Sequence, residues 1–463
     1  MNSNHRLPVF VPFAILGAVF FVACAEAEDF AGVRYLDNGV IKIGVDLDIG
    51  GAITYLSQAD GGENLVNSHD WGRQIQMSFY SGPIPFMPRG KMPRHVWRHL
   101  GWNPIQSGDC FENQSEVIAF TKSATSLYVK CIPMQWPLDN EPGECTFETW
   151  ISLEGKTAQV RSKLNNHRED KTQYAGRSQE LPAVYTNGSY YRLFTYRGNA
   201  PYTGDTLHQV TKVWDTSQGV EVEGGPWDRW YATENWAALV NDENQGVGIW
   251  SPGTFSFSGG FAGVPGKGGP QDSPTGYISP LRREILDHNI EYSYDYVLIV
   301  GSLEEIRSHV VAHAKGEQLP HSVFSGDRQG WMLKDCEDTG WPVENEWRVR
   351  LSGKTSMLLG PNAFWDAAHM PTLYLRAAFD TGKDQAVVRF ERFGKEGKER
   401  FGKVRFDIIS DGKMHDYAID LAASEAYRGH CVGLALLPLT DGGGNRSVAV
   451  EYVSYLRGEL AER

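Results

Sequence analysis

Basic residues are scarce in this sequence of 463 residues, which has 44 Lys and Arg against 57 Asp and Glu and a net charge of −13. Because phosphate binding needs a dense basic face, this balance argues against a nucleic-acid partner. Long helical stretches rich in Ala, Leu, Glu and Lys are also missing, whereas Gly (50) and Pro (23) are frequent. Short strands separated by turns are typical of such a composition, so we expect an all-β chain of two or three domains.

The sequence also lacks motifs for metal, phosphate and serine-nucleophile chemistry. No CxxC or His/Cys spacing indicates zinc, and Asp46-x-Asp48-x-Gly50 lacks the rest of a calcium loop. There is no Gly-x-Ser-x-Gly, and no glycine-rich loop leads from a strand into a helix. The sequence therefore predicts neither a metal nor a cofactor.

A long apolar run is missing except near the N-terminus. There the basic pair His5-Arg6 precedes an apolar run over Val9–Val22, and an A-x-A cleavage site ends at Ala27. The run is short for a membrane span and no second one follows. We therefore expect a signal peptide over residues 1–27 and a secreted or periplasmic protein without a stable membrane span, with a lipoprotein through Cys24 as the alternative.

Cysteine is scarce, and export would leave five cysteines in the mature chain. Three of them, Cys110, Cys131 and Cys145, lie in one stretch, where an oxidising compartment permits one disulfide. Cys336 and Cys431 lie towards the C-terminus and form the second candidate pair. An odd thiol must then stay free.

Alternating apolar and polar residues predict strands from Val33 onward, and Asp37-Asn38-Gly39 is a strong hairpin signal. One amphipathic helix is predicted over Leu303–Ala314, with Ser302 as its N-cap. The glycine- and aspartate-rich segment 324–340 marks a boundary. We expect a large antiparallel β-supersandwich over residues 28–325, followed by a smaller β-jelly-roll domain over 326–463.

Two stretches resemble known families. The strand Gly50-Gly51-Ala52-Ile53 and the following loop Asn64–Arg73 resemble the start of galactose-mutarotase-like β-supersandwich proteins, and the segment Asp411–Leu421 resembles a galactose-binding-like jelly-roll module. The first resemblance implies a fold shared by mutarotases, glycoside hydrolases, transglycosylases and several polysaccharide lyases. The second implies carbohydrate affinity or packing support rather than chemistry.

Aromatic residues are concentrated where a sugar would bind. Ten of the fourteen Trp lie between Trp71 and Trp250, several beside polar and glycine-rich segments. Indole rings stack on the flat C–H faces of pyranoses, although buried Trp residues are often simply core. We expect Trp230 and Trp236 to form a platform for an oligo- or polysaccharide.

Glycoside cleavage usually needs two carboxyl groups. Glu180 precedes the apolar run Leu181–Val184, which would raise its pKa and suit a general acid, and Glu234 is the best second candidate. Asp228, Asp205, Asp109 and Asp70 are weaker alternatives. The residues expected to bind substrate around this pair are Tyr185, Asn187, Tyr191, Arg192, Asp70 and Arg73.

The leading hypothesis is thus an exported glycoside hydrolase or transglycosylase that uses Glu180 and Glu234. A polysaccharide lyase is the first alternative; it predicts a Tyr or His base and Arg grouped with the basic stretch Arg89–His99. A non-catalytic glycan-binding protein is the second, and it predicts no paired acids in a cleft. A mutarotase would need His and Glu opposed across a small pocket, an intracellular task that export disfavours.

Overall fold

The computed structural model describes residues 30–211, 213–214, 226–394, 400–441 and 445–457. The predicted signal peptide over residues 1–27, including Cys24, lies outside these residues. Within the described ranges, no helix has the length and apolar character needed to cross a bilayer.

Two large sheets are built by the first twenty strands, which one helix follows. In chain order these elements are β1 (Val33–Asp37), β2 (Ile41–Asp46), β3 (Ala52–Gln58), β4 (Ile75–Ser78), β5 (Pro104–Ile105), β6 (Glu116–Lys122), β7 (Ser126–Ile132), β8 (Met134–Gln135), β9 (Cys145–Glu154), β10 (Thr157–Asn166), β11 (Arg177–Asn187), β12 (Arg192–Thr195), β13 (His208–Val210), β14 (Val213–Trp214), β15 (Trp227–Tyr231), β16 (Trp236–Val240), β17 (Gln245–Trp250), β18 (Ser256–Ala262), β19 (Thr275–Glu284), β20 (Glu291–Ser302) and α1 (Leu303–His313).

The eleven-stranded sheet has the order β1-β2-β3-β4-β11-β19-β18-β14, with β15 paired to β18, β5 paired to β4, and β8 paired to β5. The nine-stranded sheet has the order β13-β12-β16-β17-β20-β10-β9-β7-β6. Apolar side chains of both sheets form one core, for example Ile278 from the first sheet and Phe147, Val160 and Leu298 from the second. The two sheets therefore pack face to face as a sandwich.

Local sequence explains most of these elements. Along β9 buried and partly exposed residues alternate, as a strand with one face on a core requires. The predicted hairpin forms between β1 and β2, where Gly39 has a φ of 79° that a β-carbon would strain. The predicted helix is α1, and a capping box between Ser302 and Glu305 starts it. Ile306 of α1 packs on the outer face of β16, which is why every residue of that strand is buried.

A smaller sandwich follows the helix. Its strands are β21 (His321–Val323), β22 (Met332–Lys334), β23 (Cys336–Asp338), β24 (Trp347–Leu351), β25 (Met357–Leu359), β26 (Trp365–Asp366), β27 (Thr372–Asp380), β28 (Gln385–Arg392), β29 (Phe401–Asp407), β30 (Met414–Asp420), β31 (His430–Leu437) and β32 (Ser447–Ser454).

These strands form two six-stranded sheets, one ordered β23-β24-β32-β27-β30 with β21 on β32, the other β22-β25-β31-β28-β29 with β26 on β31. Trp347 and Leu375 of the first sheet share a core with Val388 and Leu436 of the second. The all-β fold class, with a large sandwich followed by a smaller one, is confirmed. The domain division after residue 325 stays a prediction.

The cysteines do not pair. Cys110, Cys131, Cys145, Cys336 and Cys431 are all free thiols. Cys131 and Cys145 are buried in the core of the large sandwich, where a small apolar side chain packs well without any bond. The expectation of one or two disulfides is therefore wrong for the described chain.

Candidate active site

Glu180 lies on the outer face of the eleven-stranded sheet. It belongs to β11, whose Leu181 and Val184 point into the core of the sandwich. The pairing of β11 with β4 places Glu180 opposite Ser78, and a bulge between residues 180 and 184 shifts its register with β19. Bulges redirect side chains and are frequent beside active sites. The strand thus holds a half-buried carboxyl group on a rigid surface.

Two tyrosine hydroxyls hold the carboxyl group of Glu180. Tyr277 donates to its Oε1 at 2.6 Å, and Tyr80 donates to its Oε2 at 3.0 Å. Burial raises the pKa of Glu180 above its ordinary value, although the hydrogen bonds from Tyr277 and Tyr80 oppose this rise. A carboxyl group with a raised pKa and a fixed orientation is suited to donate or accept a proton.

Aromatic rings stand beside this carboxyl group in a row across the sheet. Tyr185 of β11 pairs with Tyr277 of β19, which pairs with Gly260 of β18, which pairs with Trp227 of β15. The ring centroids of Tyr185 and Trp227 each lie 4.8 Å from that of Tyr277. Gly260 has no side chain, so the indole of Trp227 can reach Tyr277 across it. We call Glu180, Tyr80, Tyr185, Trp227 and Tyr277 the Glu180 site.

Charged residues surround the Glu180 site. The positive charge of Arg229 on β15 helps to lower the pKa of Glu180, though burial dominates. The guanidinium of Arg177 lies 5.6 Å from the centroid of the Tyr80 ring, a cation–π contact. Burial raises the pKa of Tyr185, and the charge of Asp70 adds to this rise while that of Arg73 opposes it. Asp70 itself is exposed and pairs with Arg73 at 3.2 Å.

Of the predicted site residues, the structure therefore brings together Glu180, Tyr185, Asp70 and Arg73. It does not bring Glu234 to them. Glu234 precedes β16 of the nine-stranded sheet, is completely buried, and forms an ion pair with Arg307 of α1 at 2.8 Å. The indole of Trp236 donates to its other oxygen at 2.9 Å. Because α1 covers the opposite outer face of the sandwich, the expectation that Glu180 and Glu234 share a cleft is corrected.

The two tryptophans predicted as a sugar platform are core residues. Trp230 is 5% exposed, packs in the main core and donates to Thr195 at 3.3 Å. Trp236 is fully buried between β16 and α1. Neither ring offers a surface to a sugar. On β15, Trp227 lies on the opposite face from Trp230, since successive strand residues alternate between faces.

Three predicted binding residues hold the fold elsewhere. Asn187 is buried at the end of β11, and its amide donates to the carbonyl of Asn64 at 2.5 Å. After β11 the chain crosses to the nine-stranded sheet, where Arg192 begins β12 and donates to Asn244 at 2.9 Å. The hydroxyl of Tyr191 donates to Asp242 at 2.5 Å. The crossing separates Tyr191 and Arg192 from Glu180, and Asn187 lies at the far end of β11, so none of the three is brought to Glu180.

The basic stretch Arg89–His99 begins at the edge of the site. Arg177 donates to the carbonyls of Ser81 and Leu100, which flank that loop. Part of its charge is already neutralised, because Arg89 and Lys91 both contact the buried Glu141, at 2.5 and 2.9 Å. The weaker acidic candidates have other contacts: Asp109 caps the turn at Asn113, Asp205 accepts from Tyr196, and Asp228 lies 3.9 Å from Arg197.

Sequence reasoning missed Tyr80, Tyr277, Trp227 and Arg229. Trp227 and Trp230 belong to the same strand, and alternation alone does not tell which of its faces is outside. Tyr80 follows β4 and Tyr277 lies on β19, both far from Glu180 in the chain, and only the pairing of β4, β11 and β19 brings them together. Across the described ranges, no group of three His, Cys, Asp or Glu is arranged to hold a metal ion.

Several solved structures are similar to this chain. A galactose mutarotase related enzyme from Lactobacillus acidophilus has 13% identity, covering 58% of this chain and 97% of its own, with a TM-score of 0.34. A putative aldose 1-epimerase from Escherichia coli has 12% identity, covering 58% and 99%, with a TM-score of 0.36. The 4-alpha-glucanotransferase of Thermococcus litoralis has 11% identity, covering 60% and 38%, with a TM-score of 0.33.

No protein-family model matches this chain, and no curated protein does either. The three solved structures named above have TM-scores of 0.33 to 0.36. At TM-scores below 0.5 that likeness is too loose to assign a reaction or a substrate. The galactose-binding-like character of the smaller sandwich stays a prediction.

Proposed function

We propose that this protein is a carbohydrate-active enzyme in which Glu180 transfers a proton at a sugar bound on the outer face of the eleven-stranded sheet. One observation carries the proposal. A desolvated carboxyl group on a rigid strand accepts hydrogen bonds from Tyr277 and Tyr80 and lies beside the rings of Tyr185 and Trp227. Aromatic surface for the ring faces of a sugar and a proton donor with a raised pKa are what glycosidic chemistry needs.

The reaction we propose is hydrolysis of, or transfer at, a glycosidic bond. Glu180 gives its proton to the glycosidic oxygen as the bond to the anomeric carbon breaks, and the leaving sugar departs as an alcohol. Either a second carboxylate attacks the anomeric carbon as this bond breaks, and water or an acceptor sugar then displaces it while giving a proton back to Glu180, or the second carboxylate takes a proton from a water that attacks the anomeric carbon directly. Asp70 replaces Glu234 in this role, because it is the exposed carboxylate whose charge acts on Tyr185.

A specific observation supports a polysaccharide lyase as the second candidate. Tyr80, Tyr185 and Tyr277 surround Glu180, and the charge of Arg229 acts on it. Arg177 lies beside Tyr80 and contacts the loop that carries the basic stretch. In a lyase, a base takes the proton beside a uronate carboxylate that a cation neutralises, and the C–O bond on the neighbouring carbon breaks to leave a double bond. Burial, with the nearby charge of Glu180, raises the pKa values of Tyr80 and Tyr277, which disfavours them as the base.

The deciding experiment mixes the chain from Glu28 with a panel of neutral and acidic polysaccharides, alongside Glu180→Gln. New reducing ends or transfer products that fall about 10²–10⁴-fold in the variant would support the proposal. New ultraviolet-absorbing unsaturated ends would instead support the lyase. If Glu180→Gln leaves turnover unchanged, the proposed role of Glu180 in proton transfer is contradicted. Binding without turnover would indicate a glycan-binding protein.

A further inference from the structure

A second concave site lies between the two sandwiches, away from the Glu180 site. It is a crevice of about 740 Å³, and residues of both sandwiches line it. This volume is within the range of about 300–1,000 Å³ that small-molecule sites occupy, and such sites are frequent at domain interfaces. The half-buried rings of Tyr292 and Trp341 line it, as do the polar side chains of Gln329 and Asn362.

Glu284, at the end of β19, is the unusual group in this crevice. Its side chain is 7% exposed, and its Oε1 accepts a hydrogen bond from the backbone N–H of Ile285 at 3.0 Å. No other described residue donates a hydrogen bond to this carboxyl group. A buried carboxyl group normally has several donors, so Glu284 keeps hydrogen-bonding capacity for a group that enters the crevice.

Burial decides the protonation of Glu284, and the charges around it have smaller effects. Its pKa is raised to about 8, chiefly by burial; the charges of Asp327 and Asp287 add to this rise, whereas that of Arg328 opposes it. Arg328 is itself engaged by two carboxylates, since it forms ion pairs with Asp287 at 2.6 Å and with Asp338. Its charge is therefore already compensated, and Glu284 is mostly a neutral carboxylic acid at pH 7.

We propose that this crevice binds a neutral saccharide unit, with Glu284 donating a hydrogen bond to a sugar hydroxyl and accepting one from another. Arg282, Arg283 and Arg328 line the crevice together with Asp327 and Glu291. Since Arg328 is also paired with Asp287 and Asp338, the lining has no strong net charge that would select an anionic or a cationic ligand. Hydroxyl groups match a neutral carboxyl group, and the rings of Tyr292 and Trp341 match the C–H faces of a sugar. The inference does not depend on chemistry at Glu180.

The test measures binding of three neutral trisaccharides, maltotriose, cellotriose and mannotriose, by calorimetry at pH 6.5 and pH 9. The variants are Glu284→Gln, Glu284→Leu, Asn362→Trp and Glu180→Gln. We expect at least one trisaccharide to bind the unaltered protein and Glu180→Gln equally. With a pKa of about 8, the protonated fraction of Glu284 falls about tenfold between the two pH values, and the affinity should fall with it.

Glu284→Gln keeps a neutral donor and acceptor and should bind with the same affinity at both pH values. Glu284→Leu should bind at least about tenfold more weakly. Asn362→Trp should also lower the affinity at least about tenfold, because the indole fills the crevice. Position 362 is exposed, so this substitution should not prevent folding. Three results would each overturn the proposal. The first is loss of binding in Glu180→Gln, the second is binding that neither Glu284→Leu nor Asn362→Trp affects, and the third is failure of all three sugars to bind at pH 6.5.

Discussion

The hydroxyl of Tyr277 donates to Oε1 of Glu180 at 2.6 Å, joining two neighbouring strands of the eleven-stranded sheet through their outer side chains. The bond does two things at once. It fixes the orientation of the carboxyl group, and it favours the ionised form against the effect of burial. The proton affinity of Glu180 is therefore set by a residue that sequence inspection does not connect to it.

Tyr277→Phe should raise the pKa of Glu180 further, because it removes a donor to the ionised carboxylate. If Glu180 must be protonated to act, the alkaline limb of the pH–activity profile should move to higher pH. Tyr185→Phe is the matched control, since Tyr185 stacks on Tyr277 but donates no described hydrogen bond to Glu180. A limb that moves equally in both variants would contradict this role for Tyr277.

Trp227 and Trp230 should behave oppositely when each is replaced by Ala. Trp227→Ala removes an outer ring of the Glu180 site and should raise KM about tenfold with little effect on stability. Trp230→Ala opens a cavity in the main core and should lower the free energy of unfolding by about 3–5 kcal/mol. Chemical denaturation and steady-state kinetics on both variants check the contrast. Equal KM values in Trp227→Ala and the unaltered protein would remove Trp227 from the site.

Glu234 is expected to stabilise the protein without acting on substrate. Glu234→Ala leaves Arg307 without its buried partner and should cost about 3 kcal/mol of folding free energy. Lys156→Ala is the control, because Lys156 forms an ion pair with Glu305 of the same helix that is about half exposed and should contribute less than about 1 kcal/mol. Denaturation measures both, and kcat of the folded Glu234→Ala protein should match that of the unaltered chain.

The stability of the protein should fall as pH rises from about 4.5 to about 8 because of Glu284. In that interval the folded protein holds a proton on Glu284 that the unfolded chain has lost, since the folded pKa is raised from 4.5 to about 8. Above pH 8 the full cost of burying the carboxylate is present, and below pH 4.5 it is absent. Thermal unfolding of Glu284→Gln should therefore show a higher Tm than the unaltered protein at pH 9 and an equal one at pH 4. A constant difference across this range would contradict the raised pKa.

Much of the local structure follows from the sequence alone. Alternating residues predict the strands, Asn38-Gly39 predicts the first hairpin, and Ser302 predicts the start of the helix, because these signals act within a few residues of one another. The apolar run after Glu180 also predicts its raised pKa, since the burial of neighbours in the same strand desolvates it.

Only the tertiary structure decided which residues meet. Strand alternation leaves open which face is outside, so Trp227 and Trp230 could not be told apart until β15 paired with β18. The Tyr277 hydroxyl that contacts Glu180 and the Arg307 guanidinium that contacts Glu234 come from segments distant in the chain. The sequence does not show which strands and helices pair, so it does not predict these contacts. The sequence by itself determined the strands, the first hairpin and the helix, because these depend on interactions between residues close together in the chain. The packing of two sheets and a helix determined which carboxyl group faces solvent and which is held in an ion pair.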